Sequence, residues 1–315
     1  MVNSHMDSFQ LAVAWTWPPD ADFVRHIESA ANAHGVRLLK IDASHVGQVL
    51  RSLESGSVQI RRLLDRASDE DESFVPLAQW VHARFSAHDP DAPRPFNAHD
   101  LTLRAADKAT MHLEFLSAGL TVPHTIILPP ASTHPETALT QELVTRLGVP
   151  FVVKPANTTG GGNGVVIGVR TPGEVTEIRM THPADKYLVQ EYIKPAYLGD
   201  FRAWFRVFFV CGETILCWWD DQTHAYEEVA PDDERYFGLD VLRTCATTIA
   251  GVCGLDFFST ELVLTQDGRV VAVDYVNETC DMRVQSIVPN GVPEPVVRRV
   301  AERLVLASMR ENDSQ

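Results

Sequence analysis

A glycine-rich segment that follows a lysine at the end of an apolar run constrains this chain most. Residues 150–155 read Pro-Phe-Val-Val-Lys-Pro, residues 158–164 read Thr-Thr-Gly-Gly-Gly-Asn-Gly, and a strand is predicted over 165–169. Glycines let the backbone approach phosphate oxygens closely, and Lys154 adds an ammonium group. The segment is neither a Walker loop nor a dinucleotide loop, because it lacks GK[ST] and does not open a helix. It predicts a hairpin tip that folds over a nucleotide; the alternative is a mobile hairpin with an exposed lysine.

A second constraint is a pair of carboxylates on a hairpin near the end of the chain. Glu261 and Asp274 lie on two predicted strands, 259–265 and 269–276, that are joined by a turn containing Asp267 and Gly268. Pairing centred on this turn puts the two carboxylates nearly opposite each other, where they repel unless a cation lies between them. Magnesium takes a few such oxygen ligands when phosphates complete its shell. The alternative is two solvated carboxylates, but the apolar flanks place the hairpin in the core and favour a metal.

A third element is the strand end at residues 188–193, Leu-Val-Gln-Glu-Tyr-Ile. Its carboxamide, carboxylate and aromatic side chains are compatible with a slot for adenine, with backbone groups at the base edge. Alone this segment is unspecific, and an ordinary strand explains it equally well.

The N-terminal part has a β-α-β pattern. An apolar strand at 11–17 precedes a helix with 3.6-residue periodicity at 22–34 and a second strand at 36–41, which favours a small parallel sheet. A length of 315 residues fits two or three sub-domains. The fold class is therefore predicted to be mixed α/β (α+β).

Composition excludes several classes of protein. The net charge of −15 argues against a nucleic-acid partner, since phosphate backbones need clustered Lys and Arg. No apolar run reaches the roughly 20 residues that cross a bilayer, so no membrane association and a cytoplasmic location are expected. The five cysteines form no CxxC pair, which makes structural zinc improbable.

Together and in this order, the three elements resemble the ATP-grasp superfamily over residues 106–277. The resemblance implies an ATP-grasp fold with an N-terminal α/β domain at 1–105, a central sub-domain with the glycine flap at 106–187 and a C-terminal sub-domain with the metal site at 188–315. The nucleotide would lie between the central and C-terminal sub-domains. ATP and Mg²⁺ are the implied cofactors.

The resemblance also assigns roles to individual residues. Lys108, which follows Asp107 at a helix start, and Lys154 would contact ATP phosphates, and Asp200 would hold the ribose. Other groups of residues would form the flap (Gly161 and Gly162), the adenine hinge (Gln190, Glu191, Tyr192 and Ile193) and the magnesium site (Glu261, Asp274 and Asn277).

Two departures from the family pattern leave alternatives open. The family usually ends its last strand with Glu-x-Asn, whereas residues 274–277 read Asp-Tyr-Val-Asn, with one extra residue. Either a bulge restores the geometry, or Glu278 takes over as a ligand. The family's acid-and-arginine strand matches in two registers, so either Arg202 or Arg206 would contact phosphate.

The implied activity is an ADP-forming carbon–nitrogen ligase that phosphorylates a carboxylate and passes it to an amine. Arg283 could hold a substrate carboxylate and Asp281 an amine; the alternative is an internal pair between them. A small amino-acid-like substrate is expected, with a homodimer left open. The family's ring-closing member, D-cycloserine synthetase, suggests ring closure and antibiotic biosynthesis. The alternatives are a ligase that modifies a ribosomal precursor peptide and a non-catalytic nucleotide-binding regulator.

Overall fold

The computed structural model describes residues 6–86, 92–136, 139–157 and 162–310. Its N-terminal part is a parallel sheet of strand order β2-β1-β3-β4 with helices against it. The elements are β1 (Asp7–Trp15), α1 (Ala21–Ala33), β2 (Leu38–Ile41), α2 (Val46–Glu54), β3 (Val58–Arg66), α3 (Val75–Ser86) and β4 (Arg94–Pro95). Residues 11–14 of β1 are fully buried, as expected for a parallel strand that is covered on both faces. The predicted β-α-β opening is confirmed.

The central part carries an antiparallel sheet of order β5-β8-β6-β7. Its elements are α4 (His99–Ala106), α5 (Lys108–Ser117), β5 (Thr125–Leu128), α6 (Gln141–Leu147), β6 (Phe151–Pro155), β7 (Val166–Val169), α7 (Pro172–Arg179) and β8 (Tyr187–Glu191). Helix α7 was not predicted, although Thr171 and Glu174 form the capping box that marks a helix start. The sheet runs to Glu191, beyond the sub-domain boundary predicted at residue 187.

The C-terminal part is built on an antiparallel sheet of order β13-β12-β11-β14-β15. Its elements are β9 (Tyr197–Leu198), β10 (Phe201–Arg202), β11 (Trp204–Val210), β12 (Glu213–Trp219), β13 (Tyr226–Glu228), α8 (Pro231–Phe237), α9 (Asp240–Cys253), β14 (Phe257–Leu264), β15 (Val270–Asn277) and α10 (Glu294–Met309). The turn between β14 and β15 has Gly268 at φ +81°, a conformation that glycine adopts without strain.

Apolar side chains cover both faces of the C-terminal sheet. One face packs with α5 and α9 through residues such as Phe205, Leu242 and Phe115. Part of the other face packs with β1, α1 and α10 through residues such as Phe208 and Val300. The mixed α/β class is confirmed. No helix in the described ranges is both long and apolar enough to cross a bilayer.

Candidate active site

The two predicted carboxylates face each other on the C-terminal sheet. Glu261 of β14 pairs in register with Asp274 of β15. Ser259 pairs with Asn277 and Leu262 with Ala272, so β15 carries one extra residue on each side of Asp274. These irregularities are β-bulges, which re-aim side chains locally. The extra residue before Asn277 is therefore accommodated by a bulge, which is one of the two alternatives that the sequence left open.

An arginine lies opposite the same glutamate on the other side. Arg206 of β11 pairs in register with Glu261, and its Nη2 lies 2.6 Å from Glu261 Oε1. Trp204 Nε1 donates to the second oxygen, Oε2, at 3.0 Å. The guanidinium also lies over the Trp219 ring, 5.1 Å from its centroid. Both oxygens of Glu261 are thus held by neighbours on β11.

Arg206 has spare hydrogen-bonding capacity. It is 8% exposed, and its Nε and Nη1 atoms are buried with no hydrogen-bond partner among the described residues. Buried donors without a partner are rare because their desolvation is not compensated. These two nitrogens lie beside a carboxylate pair, and their N–H bonds could donate to an anion such as a phosphate oxygen.

Two lysines join this group from the central part. Lys154 is the second-last residue of β6 and is 5% exposed, and its Nζ donates to the carbonyl of Val273 at 2.9 Å. The backbone N–H of Lys108 donates to the carbonyl of Ala156 at 3.1 Å, which ties the start of α5 to the end of β6. The Asp107 side chain caps α5 by accepting from Ala109 N and Thr110 N.

The charges of these residues act on one another. Burial lowers the pKa of Lys154, and the nearby charge of Lys108 lowers it further, although Asp274 and Glu261 oppose this. Burial alone would raise the pKa of Asp274, but Lys108, Lys154 and Arg206 outweigh it, so this pKa is lowered. The structure therefore brings the two lysines, Arg206 and the two carboxylates together.

The two carboxylates differ in how readily they ionise. The pKa of Glu261 is raised by burial and by the charge of Asp274, against the opposing effects of Arg206 and Trp204. Burial also raises the pKa of Glu278, with Lys108 opposing and Asp274 adding to the rise. Asp274 is thus the carboxylate that holds a negative charge most readily, which suits a ligand for a cation.

The four residues of the predicted adenine hinge lie at the end of β8 and directly after it. The Gln190 side chain is buried, and its Nε2 donates to Tyr275 OH at 2.7 Å and to Thr125 Oγ1 at 2.9 Å. The Gln190 amide is thus occupied by two protein oxygens, and any contact of this residue with adenine stays a prediction. Glu191 Oε1 accepts from the backbone N of His124 at 2.9 Å.

The rest of the hinge lies beside the C-terminal sheet. Ile193 is buried in a small cluster with Val263 and Val271, against which Trp204 and Val273 pack. Tyr192 forms a side-chain hydrogen bond to Arg202. An apolar surface of this kind, next to Lys154 and Glu261, could hold a purine face.

The other two predicted arginines have separate partners. Arg202 forms a bidentate pair with Asp221, with Nε–Oδ1 at 2.9 Å and Nη2–Oδ2 at 3.0 Å. Arg283 pairs with Asp281 within its own loop, with Nη2–Oδ2 at 2.6 Å. For Arg283, the structure shows the internal pair with Asp281. Of the other two arginines, Arg206 and not Arg202 lies beside the carboxylates.

Two predictions concern residues at the margin of the site. Asp200 is exposed between β9 and β10. Of the predicted flap, Gly161 lies outside the described residues, whereas Gly162 is exposed in a turn at φ +79°. Gly164 has φ +76°, and a Cβ there would approach Pro155 Cγ to 3.0 Å, so this turn requires glycine.

The donor set decides which metal the site could hold. Within the described ranges, no group of three or more His, Cys, Asp or Glu side chains has the arrangement of a metal site. The carboxylates of Glu261 and Asp274 and the carboxamide of Asn277 are hard oxygen donors, few in number. This set fits Mg²⁺, which keeps several waters and phosphate oxygens, and does not fit a protein-only cage.

Comparison with known proteins decides the fold. No family model matches the chain, and no curated protein matches its sequence. Among solved structures, it is similar to D-cycloserine synthetase DcsG, with a TM-score of 0.62 and 17% identity over 95% of this chain and 99% of that one. It is also similar to D-alanine–D-alanine ligase from Bacillus anthracis in complex with ATP, with a TM-score of 0.63 and 13% identity over 96% of each chain.

A third similar structure is the ATP-grasp ligase PsnB in complex with precursor peptide PsnA2 and AMPPNP. The TM-score is 0.62 and the identity 12%, over 98% of this chain and 99% of that one. The chain has the ATP-grasp fold. The ATP-grasp fold explains the order of the elements along the chain.

Within this ATP-grasp fold, sequence reasoning missed several residues that contact the predicted site. Trp204 and Tyr275 contact Glu261 and Lys154, and Thr260 Oγ1 donates to the carbonyl of Asp274 at 3.0 Å. Their positions in the sequence could have indicated all three. Thr260 and Tyr275 are sequence neighbours of the carboxylates, and Trp204 lies two residues from Arg206. No local signal marked His112, whose partners lie on other elements.

Proposed function

We propose that this protein is an ATP- and Mg²⁺-dependent, ADP-forming ligase. The observation that carries the proposal is the convergence of three cationic side chains, Lys108, Lys154 and Arg206, on the carboxylate pair of Glu261 and Asp274. Structural cores rarely gather so many charges without a ligand, because each buried charge carries a desolvation cost. The similarity to ligases over nearly the full chain supports the same reading.

In the proposed complex, the phosphates lie against the cations and the metal against the acids. Lys108 and Lys154 hold the phosphate oxygens, and Arg206 donates to them from its two unsatisfied nitrogens, Nε and Nη1. Mg²⁺ lies at Glu261, Asp274 and Asn277. The adenine packs on Ile193 with backbone groups of Glu191 and Tyr192 near its edge, and Asp200 holds the ribose.

When bound, Mg·ATP supplies the phosphoryl group that turns a substrate carboxylate into an acyl phosphate, from which an amine then displaces phosphate. The residues of this chain position the groups and compensate charge. Arg206 stays fixed by Glu261 and Trp219, so its free N–H groups need no reorganisation when charge develops on the phosphoryl oxygens. Losing one such contact typically costs about 10²-fold or more in turnover.

We propose a small amino-acid-like substrate that supplies the carboxylate or an equivalent oxygen, with amide formation or ring closure as the outcome. Similarity to D-cycloserine synthetase and to D-alanine–D-alanine ligase over at least 95% of this chain supports this class. A place in antibiotic biosynthesis, expected from the resemblance to D-cycloserine synthetase, is part of the same proposal.

A second candidate is a ligase that acts on a ribosomal precursor peptide. Similarity to PsnB, whose structure contains a precursor peptide, covers 98% of this chain and favours it. The two candidates differ in the length of the substrate and share the same phosphoryl-transfer site.

The test is an ADP-release screen with Mg·ATP over free amino acids, their O- and N-substituted derivatives, and short acidic peptides. Release above the level of an Asp274→Ala blank, with a small compound, supports the first candidate; release with peptides alone selects the second. Mg·ATP binding without ADP release from any compound would favour a non-catalytic nucleotide-binding protein. Equal release from wild type and blank would contradict the site.

A further inference from the structure

A buried hydroxyl joins the two sheets that flank the proposed site. Tyr275 is fully buried, and its OH lies 2.7 Å from Gln190 Nε2 on β8 and 2.8 Å from His112 Nδ1 on α5. Gln190 also donates to Thr125 Oγ1 on β5, at 2.9 Å. One phenol of the C-terminal sheet is thus fixed by two elements of the central part.

The direction of these hydrogen bonds follows from their chemistry. The Gln190 amide donates to the phenol oxygen, so the phenol proton is available for His112 Nδ1. A neutral imidazole accepts it, and burial together with the charge of Lys154 lowers the pKa of His112 to about 4. Tyr275, Gln190 and His112 are buried and Thr125 is half-buried, and such networks fix geometry most strongly when all members are satisfied.

The same segment of β15 carries the site. Asp274 precedes Tyr275, and two backbone carbonyls of this bulged stretch accept hydrogen bonds from side chains. Lys154 Nζ donates to the carbonyl of Val273 at 2.9 Å, and Thr260 Oγ1 donates to that of Asp274 at 3.0 Å. Lys154 Nζ also lies 5.3 Å from the centroid of the Tyr275 ring. A shift of this ring would move both Lys154 and Asp274.

We propose that Tyr275 is a positioning residue, whose hydroxyl, held by Gln190 and His112, fixes the bulged end of β15 so that Asp274 and Lys154 face the same triphosphate. The inference rests on the proposed function. It gives the extra residue between Asp274 and Asn277 a role, because Tyr275 lies in this bulged stretch and its OH reaches Gln190 of β8 and His112 of α5.

The test is Tyr275→Phe, which removes only the hydroxyl and keeps the ring beneath Lys154. The matched control is Tyr187→Phe, since Tyr187 is also fully buried and its OH also has two partners, Thr181 Oγ1 at 3.1 Å and the Ile178 carbonyl at 3.3 Å, on the side of α7. Two quantities are measured: the Kd of Mg·AMPPNP by calorimetry and the Mg²⁺ concentration that gives half-maximal ADP release.

We expect Tyr275→Phe to raise both quantities about tenfold, which corresponds to about one hydrogen bond. Tyr187→Phe should lower the melting temperature and leave both unchanged, because a smaller folded fraction reduces the maximal rate and not the half-saturating Mg²⁺ concentration. Unchanged values in Tyr275→Phe would overturn the inference.

The failure of the inference is distinct from failure of the proposed function. If wild type itself does not bind Mg·AMPPNP, the proposed function fails first. If Tyr275→Phe does not fold, His112→Leu removes the acceptor and keeps the phenol, and it should shift the same two quantities in the same direction. An unchanged His112→Leu variant would then count against the network.

Discussion

The two hairpins that the sequence singled out are built very differently. In β14–β15, seven of the eight residues of β14 and four of the eight of β15 are buried, and side chains of β11 hold both oxygens of the Glu261 carboxylate. In β6–β7 the first strand is mostly buried and ends at Pro155, directly after Lys154, whereas the second exposes Val166 at 37% and Ile167 at 63%. The first hairpin is a fixed part of the core, and the second is fixed along only one strand.

This difference indicates that the two hairpins have different roles, one as a fixed site and the other as a segment that can move. In the proposed complex, fixed charges on β14–β15 preorganise the site for metal and phosphate, so it requires no rearrangement during reaction. The β7 side of the other hairpin packs little apolar surface, so it can move at small cost. Substitutions at the fixed charges should therefore change activity and stability far more than substitutions on β7.

The largest effect is expected for Lys154→Ala. Its ammonium lies between the Val273 carbonyl and Asp274, and we expect ADP release to fall by about 10²-fold or more with the fold retained. Steady-state ADP assays and circular dichroism measure the two properties. Lys40→Ala, which removes an exposed lysine paired with Glu28, is the control. A Lys154→Ala variant with full activity would remove this hairpin from the site.

The next effect concerns stability. Arg206→Met leaves Glu261 buried without its cation, and breaking a buried pair from one side costs about 3 kcal/mol or more in the free energy of unfolding. Arg235→Met breaks the ion pair between Arg235 and Asp232, whose side chains are 73% and 90% exposed, respectively. It should lower the free energy of unfolding by about 0.5 kcal/mol or less. Urea denaturation of both variants measures the contrast, and equal losses would show that the β11–β14 charges are not structurally fixed.

A smaller effect depends on pH. The pKa of His112 is lowered from 6.5 to about 4 by burial, so between these values the unfolded chain binds more protons than the folded one. Stability is therefore lost as the pH falls from 6.5 towards 4, by about 3 kcal/mol. His112→Gln should flatten this acid limb in denaturation curves at pH 7, 5.5 and 4. An equal loss of stability at low pH in both proteins would mean that His112 is not a buried, neutral imidazole in the folded state.

The smallest effect is expected on β7. Ile167→Thr changes a side chain that is 63% exposed and keeps β-branching, so the free energy of unfolding should stay within about 0.5 kcal/mol. Because this side chain is exposed, ADP release should also stay within twofold of wild type. This limit corresponds to about 0.4 kcal/mol in the activation free energy. A large loss of activity would mean that β7 closes over the nucleotide with this face.

The sequence predicted the fold best where periodicity and turn chemistry agreed. The strand bounds Glu213–Trp219 and the helix near 241–253 match the structure closely, and the Asp267-Gly268 turn placed Glu261 opposite Asp274 correctly. Helix α10 was missed, although residues 296, 297, 300, 301, 304 and 305 are buried with helical spacing.

The site was less predictable because contacts across sheets leave no local pattern. Arg202 and Arg206 belong to the same apolar strand pattern, so the sequence does not distinguish them. Only the register of β11 with β14 shows that Arg206 meets Glu261. The Gln190 side chain looked like a hinge residue from its neighbours, whereas a partner 85 positions away, Tyr275, determines where it points. Long-range pairs of this kind depend on tertiary packing.

The most direct test of the central claim is thermal melting of wild type and Asp274→Asn with increasing Mg·ATP. If the cations and carboxylates form one nucleotide site, wild type gains about 2.7 kcal/mol of stability at a ligand concentration of 100 Kd, and its melting temperature rises. Asp274→Asn, which keeps the shape and removes the charge, should show less than half of that rise. An equal rise in both proteins, or none in wild type, would contradict the account.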